Sequence, residues 1–155
     1  MGIQIKSKHS QFLIDNILVI FITVAMFGLY ALDFPYSGYV VTGLIVLALF
    51  FLLYQYVKLR CYTWTIGPET IKIERSVFSK NIDYVELYRV IDYREYQTFI
   101  QRLFGLKTIL IKSDDPTNPN VQIFGIKASE NYIGQIRELV EQCKTKKRVL
   151  EINNH

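Results

Sequence analysis

The sequence predicts a membrane α-helical hairpin of two transmembrane helices, followed by a small α+β domain: an antiparallel sheet or partly open barrel capped by a C-terminal helix. Three observations lead there. Hydrophobic residues make up 50% of the 155-residue chain, a high share for a soluble protein, and nearly all of the excess lies in residues 12–57, where only Asp15 and Asp33 are charged. From Cys61 onward the chain changes to short runs of β-branched and aromatic residues broken by Gly, Pro, Asp and Asn, the composition of strands and turns. It closes on a segment whose apolar residues recur at helical spacing.

Residues 12–32 and 36–57 are each close to the ~20 residues an α-helix needs to cross ~30 Å of hydrocarbon. A secretory signal peptide would have a single shorter apolar core and a small-residue cleavage site, whereas here a second span follows directly after Asp33, Phe34 and Pro35. A soluble hairpin that is apolar on all sides would need a larger partner core than the remaining chain provides. The first residues do not make a myristoylation signal, because Lys6 stands where Ser or Thr is required.

Lys6, Lys8 and His9 precede the first span, Lys58 and Arg60 follow the second, and the connection carries only Asp33. The positive-inside rule then places both termini in the cytoplasm. Tyr30, Phe34, Tyr36 and Tyr39 are expected to form the outer aromatic belt, and Tyr54, Tyr56 and Trp64 the inner one. Pro35 ends any continuous helix through the turn. Asp15 and Asn16 lie about one turn inside the cytoplasmic end, where snorkelling or capping accounts for them better than an ion path does. Ala25, Gly28 and Ala31 on the first helix, with Gly38, Thr42 and Gly43 on the second, suit close helix packing. Cys61 and Cys143, on the cytoplasmic side and without a CxxC or Cys/His cluster, read as small buried hydrophobes.

The expected division is a cytoplasmic N-terminal segment at 1–11, the hairpin at 12–57 and a cytoplasmic domain with a C-terminal helix and basic tail at 58–155. Residues 61–66 and 70–74 read as strands joined by Gly67, Pro68 and Glu69, with Ile71 and Ile73 alternating against Lys72 and Glu74. Further strands are expected at 76–78, 82–87, 90–96, 108–112 and 121–126. The loop holding Asp114 and Asp115 lacks the Gly and distal Glu of a calcium loop and reads as a solvated hairpin tip. A helix is expected from Glu130 to about Lys147, capped by Ser129, with Tyr132, Ile133, Ile136, Leu139, Val140 and Cys143 as its apolar stripe.

Between two of these strands stands Gln101, Arg102, Leu103, Phe104 and Gly105, the spacing of a short helical turn closed by a glycine. The expectation is a fold-defining corner, with Leu103 and Phe104 tucked into one end of the sheet and Gly105 supplying backbone freedom.

Two spans, the strand pair opening with Tyr62 and Thr63, the stretch 82–90, the Gln-Arg-Leu-Phe-Gly corner, the strand 107–112, Gly125 and the closing helix together resemble the second class of bacterial pleckstrin-homology (PH) domains, in its two-pass membrane-anchored members. Asp83 departs from the pattern, where a proline often stands. The resemblance implies a PH-like fold in the bacterial cytoplasmic (inner) membrane and no catalytic residues. Phosphoinositide-binding PH domains carry cations in the loop joining their first two strands; taking Gly67–Glu69 as that loop, no such site is expected.

Chemistry is not expected elsewhere either. His9 precedes the first span and His155 ends the chain, so the domain has no histidine base or ligand, and no nucleophile, metal or nucleotide motif occurs. No cofactor or metal is expected. The formal net charge is +4, and Lys144, Lys146, Lys147 and Arg148 place four cations in five positions. With Lys58 and Arg60 these are candidate contacts for anionic lipid; a plain solvated helix end is the alternative for the tail, and nucleic acid is disfavoured by the tether and modest charge. The expected function is non-enzymatic: a domain for docking a protein partner or for self-assembly at the membrane surface. Two alternatives stay open, a membrane effector whose domain binds a lipid headgroup or nucleotide and signals to the hairpin, and an accessory subunit of a larger membrane complex.

Overall fold

The computed structural model describes residues 2–30 and 37–153. Ala31, Asp33, Phe34, Pro35, Tyr36 and His155 lie outside the described residues, as does the side chain of Tyr30.

Helix α1 spans His9–Tyr30 and α2 spans Ser37–Arg60. At 1.5 Å per residue they are roughly 33 and 36 Å long, and both are long and apolar enough to cross a membrane. Leu18, Phe21, Val40, Leu47 and Phe50 all face outward, as helices apolar on every side require of their surroundings. The glycines do not mediate close approach: a Cβ at Gly28, Gly38 or Gly43 would meet nothing within 4 Å. Aromatic contacts join the pair at its base instead. Phe12 meets Tyr56 edge-on at 5.5 Å, and the Tyr56 hydroxyl hydrogen-bonds His9 Nδ1 at 3.2 Å.

The segment before α1 belongs to the sheet. Strand β1, Ile3–Lys6, pairs antiparallel with β2, Tyr62–Ile66, in the register Ile3–Ile66 to Lys6–Thr63. Ile3 and Ile5 alternate with Gln4 and Lys6, and Ile5 is buried in the core at 1% exposure. The helical hairpin is therefore inserted between the first two strands. Strands β3, Thr70–Ser76, and β4, Lys80–Glu86, complete an antiparallel sheet in the order β1-β2-β3-β4. Of residues 76–78, expected as a separate strand, Ser76 ends β3 and Val77 and Phe78 lie in the β3–β4 turn.

A 3-10 turn, Leu87–Arg89, leads to the second sheet. That sheet has the order β5-β6-β7, with β5 at Val90–Tyr96, β6 at Leu106–Ser113 and β7 at Asn120–Lys127. The five-residue α3, Phe99–Leu103, fills the β5–β6 connection. The two sheets do not close into a barrel. At one seam β1 touches β7 and the Lys8 amide donates to Gly125 O at 2.8 Å; at the other the 3-10 turn is covered by α4, Tyr132–Asn153. Ile136 and Val140 on α4 are buried against the core, with Ile133, Leu139 and Cys143 beside them. The cap of this helix is Asn131 rather than Ser129: its Oδ1 accepts from the Gly134 amide at 3.1 Å, the geometry that satisfies an otherwise unpaired first-turn donor.

Trp64 is fully buried and does not join an interfacial belt. It packs against Tyr62 at 5.0 Å and edge-on to Phe124 at 5.0 Å, tying the two sheets together below the hairpin. Cys61 and Cys143 are free and half-buried. The Tyr93 hydroxyl is buried and has no hydrogen-bond partner among the described residues. Burial pushes this phenol's pKa up to about 12.

Two substitutions test this packing by chemical denaturation of the full chain in detergent. Ile5→Ala is expected to cost about 2–5 kcal/mol, the loss for an aliphatic side chain removed from a packed core; an unchanged midpoint would show that β1 is not part of the folded sheet. Tyr93→Phe removes an unpaired buried hydroxyl and is expected to stabilise by about 1 kcal/mol.

Candidate functional site at the joint between hairpin and sheet

The corner at residues 98–105 starts with a capping box. Thr98 Oγ1 accepts from the Gln101 amide at 3.2 Å, and Gln101 Oε1 accepts from the Thr98 amide at 3.1 Å. This satisfies first-turn donors that a five-residue helix cannot pair internally. Gly105 closes the turn at φ 62°, a left-handed conformation that side chains with a Cβ resist. Its carbonyl accepts from the Ala128 amide at 2.8 Å, fastening the corner to the end of β7.

The side chains in this corner divide differently from the sequence expectation. Leu103 and Phe104 are exposed and do not tuck into the sheet. Gln101 is the buried one, at 3% exposure. Its Nε2 donates to Gln11 Oε1 at 3.1 Å and to Thr108 Oγ1 at 2.9 Å. Gln11 lies in the first turn of α1 and is itself buried, and its Nε2 donates to Asp15 Oδ1 at 2.7 Å. Arg102 is exposed beside it.

A second strap joins the same helix end to β7. Ser7 Oγ donates to Phe124 O at 2.7 Å, next to the Lys8–Gly125 backbone bond. Gly125 has φ 68°, and a Cβ there would lie 2.7 Å from Gln11 Cβ. Glycine at 125 thus lets the first turn of α1 rest on the strand. Around this joint an open cleft of ≈ 310 Å³ is lined by Gln11, Asp15, Tyr96, Thr98, Gln101, Thr108, Gln122 and Phe124. Asp15 also lines a second cleft, with Gln55, Lys58 and Tyr62. Asn16 donates to Phe12 O within its own helix at 3.0 Å.

A family model of bacterial PH domains, bPH_2, matches residues 17–140. The chain belongs to the bacterial PH domain family. The match begins inside α1 and runs into α4, so most of the hairpin lies within it while β1 precedes it. Searches of curated proteins and of solved structures found no match.

In this bacterial PH chain the basic residues singled out in the sequence fall at two ends. Lys58 and Arg60 end α2, immediately before the sheet. Lys144, Lys146 and Lys147 lie at the end of the domain away from the hairpin. There Lys144 Nζ donates to Val90 O at 2.7 Å, Lys146 pairs with Glu69 at 2.6 Å, and Lys147 Nζ sits 3.3 Å from the centroid of the Tyr88 ring. Arg148 is exposed. The hydrogen bond from Lys146 holds the Glu69 carboxyl below its usual pKa, and the Lys146 ammonium is correspondingly raised. Gly67–Glu69 proves to join β2 and β3, so it is not the first connection of the fold. That connection is the hairpin itself, bracketed by Lys6, Lys8, Lys58 and Arg60.

The sequence pointed to the 101–105 segment but not to what Gln101 touches. Its partner Gln11 lies 90 positions away, in a stretch that hydropathy assigns to the edge of a span. Gln101→Ala is expected to destabilise the full chain by about 2–4 kcal/mol, because buried Gln11 and Thr108 keep polar groups that lose their partner. Gly105→Ala is expected to cost about 1–2 kcal/mol from backbone strain alone. Gly125→Ala should cost more than Gly105→Ala, since it adds a clash to the strain; a reversed order in thermal unfolding would show that α1 does not rest on β7.

Proposed function

We propose that this chain is a non-enzymatic two-pass protein of the bacterial inner membrane, with both termini cytoplasmic, whose PH-like domain is a docking or self-assembly module at the membrane surface. The observation that carries this reading is the insertion of the hairpin between two paired strands. Ser7 and Lys8 alone separate β1 from α1, and Cys61 alone separates α2 from β2. With no linker at either junction, the domain cannot swivel on its anchor and presents one constant outward surface. A constant surface suits recognition of a partner that approaches along the membrane plane.

The orientation has independent support. Pairing of β1 with β2 puts both ends of the hairpin on one side, and the flanking cations Lys6, Lys8, Lys58 and Arg60 gather there, where the positive-inside rule expects the cytoplasm.

The test is the mass of the full chain purified in mild detergent, measured by light scattering with correction for bound detergent. The expected result is a defined multiple of 18.2 kDa or a stoichiometric second protein. A clean monomer whose melting temperature rises with a nucleotide or a soluble lipid headgroup would overturn docking in favour of ligand sensing.

A further inference from the structure

Most exposed large side chains of the sheet domain gather at its hairpin end, on two opposite flanks. On one flank the β3–β4 turn carries Phe78, 92% exposed, whose ring stacks on Tyr54 of α2 with centroids 6.2 Å apart and planes 13° apart. Tyr54 lies six residues before the end of α2, or roughly 9 Å up the helix. Phe78 therefore reaches past the junction and alongside the span. On the other flank α3 presents Phe99, 85% exposed, and Leu103, 78% exposed, with Phe104 next to them. Phe99 and Leu103 are four residues apart on one helical face, while Gln101 turns inward to Gln11. That bond sets α3 level with the first turn of α1.

We infer that this end of the domain is a wedge seated in the headgroup region of the bilayer that the hairpin crosses, with Phe78 on one side and Phe99, Leu103 and Phe104 on the other. The inference rests on the membrane-spanning reading of α1 and α2. Phe and Leu are residues with which membrane-surface elements reach the boundary between headgroups and acyl chains. Cations stand beside them: Lys58 lines the cleft under Phe78, next to Arg75, which is paired with Asp83 at 3.0 Å, and Arg102 sits between the exposed residues of α3. This is the pairing of apolar and basic groups that suits an anionic interface.

A planar bilayer fits this arrangement better than a second protein does. The two patches flank the helix pair at one level, so a single surface surrounding the hairpin covers both at once. Elsewhere on the domain, exposed Tyr84 and Ile91 stand on separate strands, as isolated surface hydrophobes commonly do. The β6–β7 loop at the far end carries Asp114, Asp115, Thr117 and Asn118 instead.

The test reconstitutes the full chain in phosphatidylcholine–phosphatidylglycerol vesicles with brominated acyl chains. Phe78→Trp, Phe99→Trp and Leu103→Trp report the wedge, Thr117→Trp the far end and Leu47→Trp the middle of α2, over the constant signal of buried Trp64. Quenching by bromolipid is expected to be at least about twofold greater at 78, 99 and 103 than at 117, with the reverse order for aqueous acrylamide. If Leu47→Trp is quenched by lipid while 99 and 103 respond only to acrylamide, the spans stand and the wedge is refuted. Quenching of 99 and 103 by neither agent would also overturn it, by showing that a second copy or another protein covers the patch. Failure of lipid to quench Leu47→Trp would instead remove the membrane-spanning reading on which the wedge depends.

Discussion

The four-residue pairing of Ile3–Lys6 with β2 is the constraint on which the rest of the structure depends. It makes a helical hairpin into the first connection of a sheet. Closing a long flexible loop costs entropy that grows with its length, and this connection would be costly as coil. As two helices packed antiparallel, it returns the chain close to its starting point before β2 forms. Pairing of β1 with β2 and packing of α1 against α2 therefore support each other, which links the hairpin to the domain.

The same insertion explains the polar joint. A strand that runs almost directly into a helix leaves first-turn groups to be satisfied by neighbours, and here the neighbours come from three later elements. Gln101 on α3, itself held by Thr108 on β6, and the carbonyls of Phe124 and Gly125 on β7 meet the segment from Ser7 to Gln11. Unpaired buried polar groups are costly, so such a cluster holds only when every member is in place. The two glycines with positive φ, Gly105 and Gly125, sit at this junction. One turns the corner, and the other makes room for the helix.

The architecture was legible wherever a periodic signal was long enough. Both spans, six of the seven strands and the closing helix show in hydropathy and alternation, and the Gln-Arg-Leu-Phe-Gly stretch marked the corner. β1 was not legible because Ile3 and Ile5 offer only two beats of alternation, in front of an apolar run that dominates the reading. Overlooking it made Gly67–Glu69 look like the first connection, while the strand expected at 76–78 proved to be the end of β3 and its turn. Leu103 and Phe104 reversed expectation for a different reason: a short helix has too little face for sequence to tell its inner side from its outer. The Thr98–Gln101 capping box turns Gln101 inward and leaves the apolar pair outside. Trp64 lies in a strand whose buried face sequence alone could not separate from an interfacial belt.

Charge placement distinguishes the two ends of the domain. From Tyr62 to Ile66 the strand β2 rises roughly 13 Å at ~3.3 Å per residue, and the Glu69–Lys146 pair lies beyond its far end. If the hairpin crosses a bilayer, that distance exceeds the ~8 Å Debye length at physiological salt. Lys58 and Arg60 then sense the lipid surface, while Lys144, Lys146 and Lys147 are occupied by the fold. Because the Glu69 carboxyl is held below its usual pKa, its contribution is present at neutral pH, where the unfolded carboxyl is also ionised. It is lost as pH falls through the depressed folded value. Lys144, Lys146 and Lys147 thus join α4 to Val90, Glu69 and Tyr88, and in a chain that crosses a bilayer, attraction to its surface would fall to the short cationic segments where the sheet meets the helices.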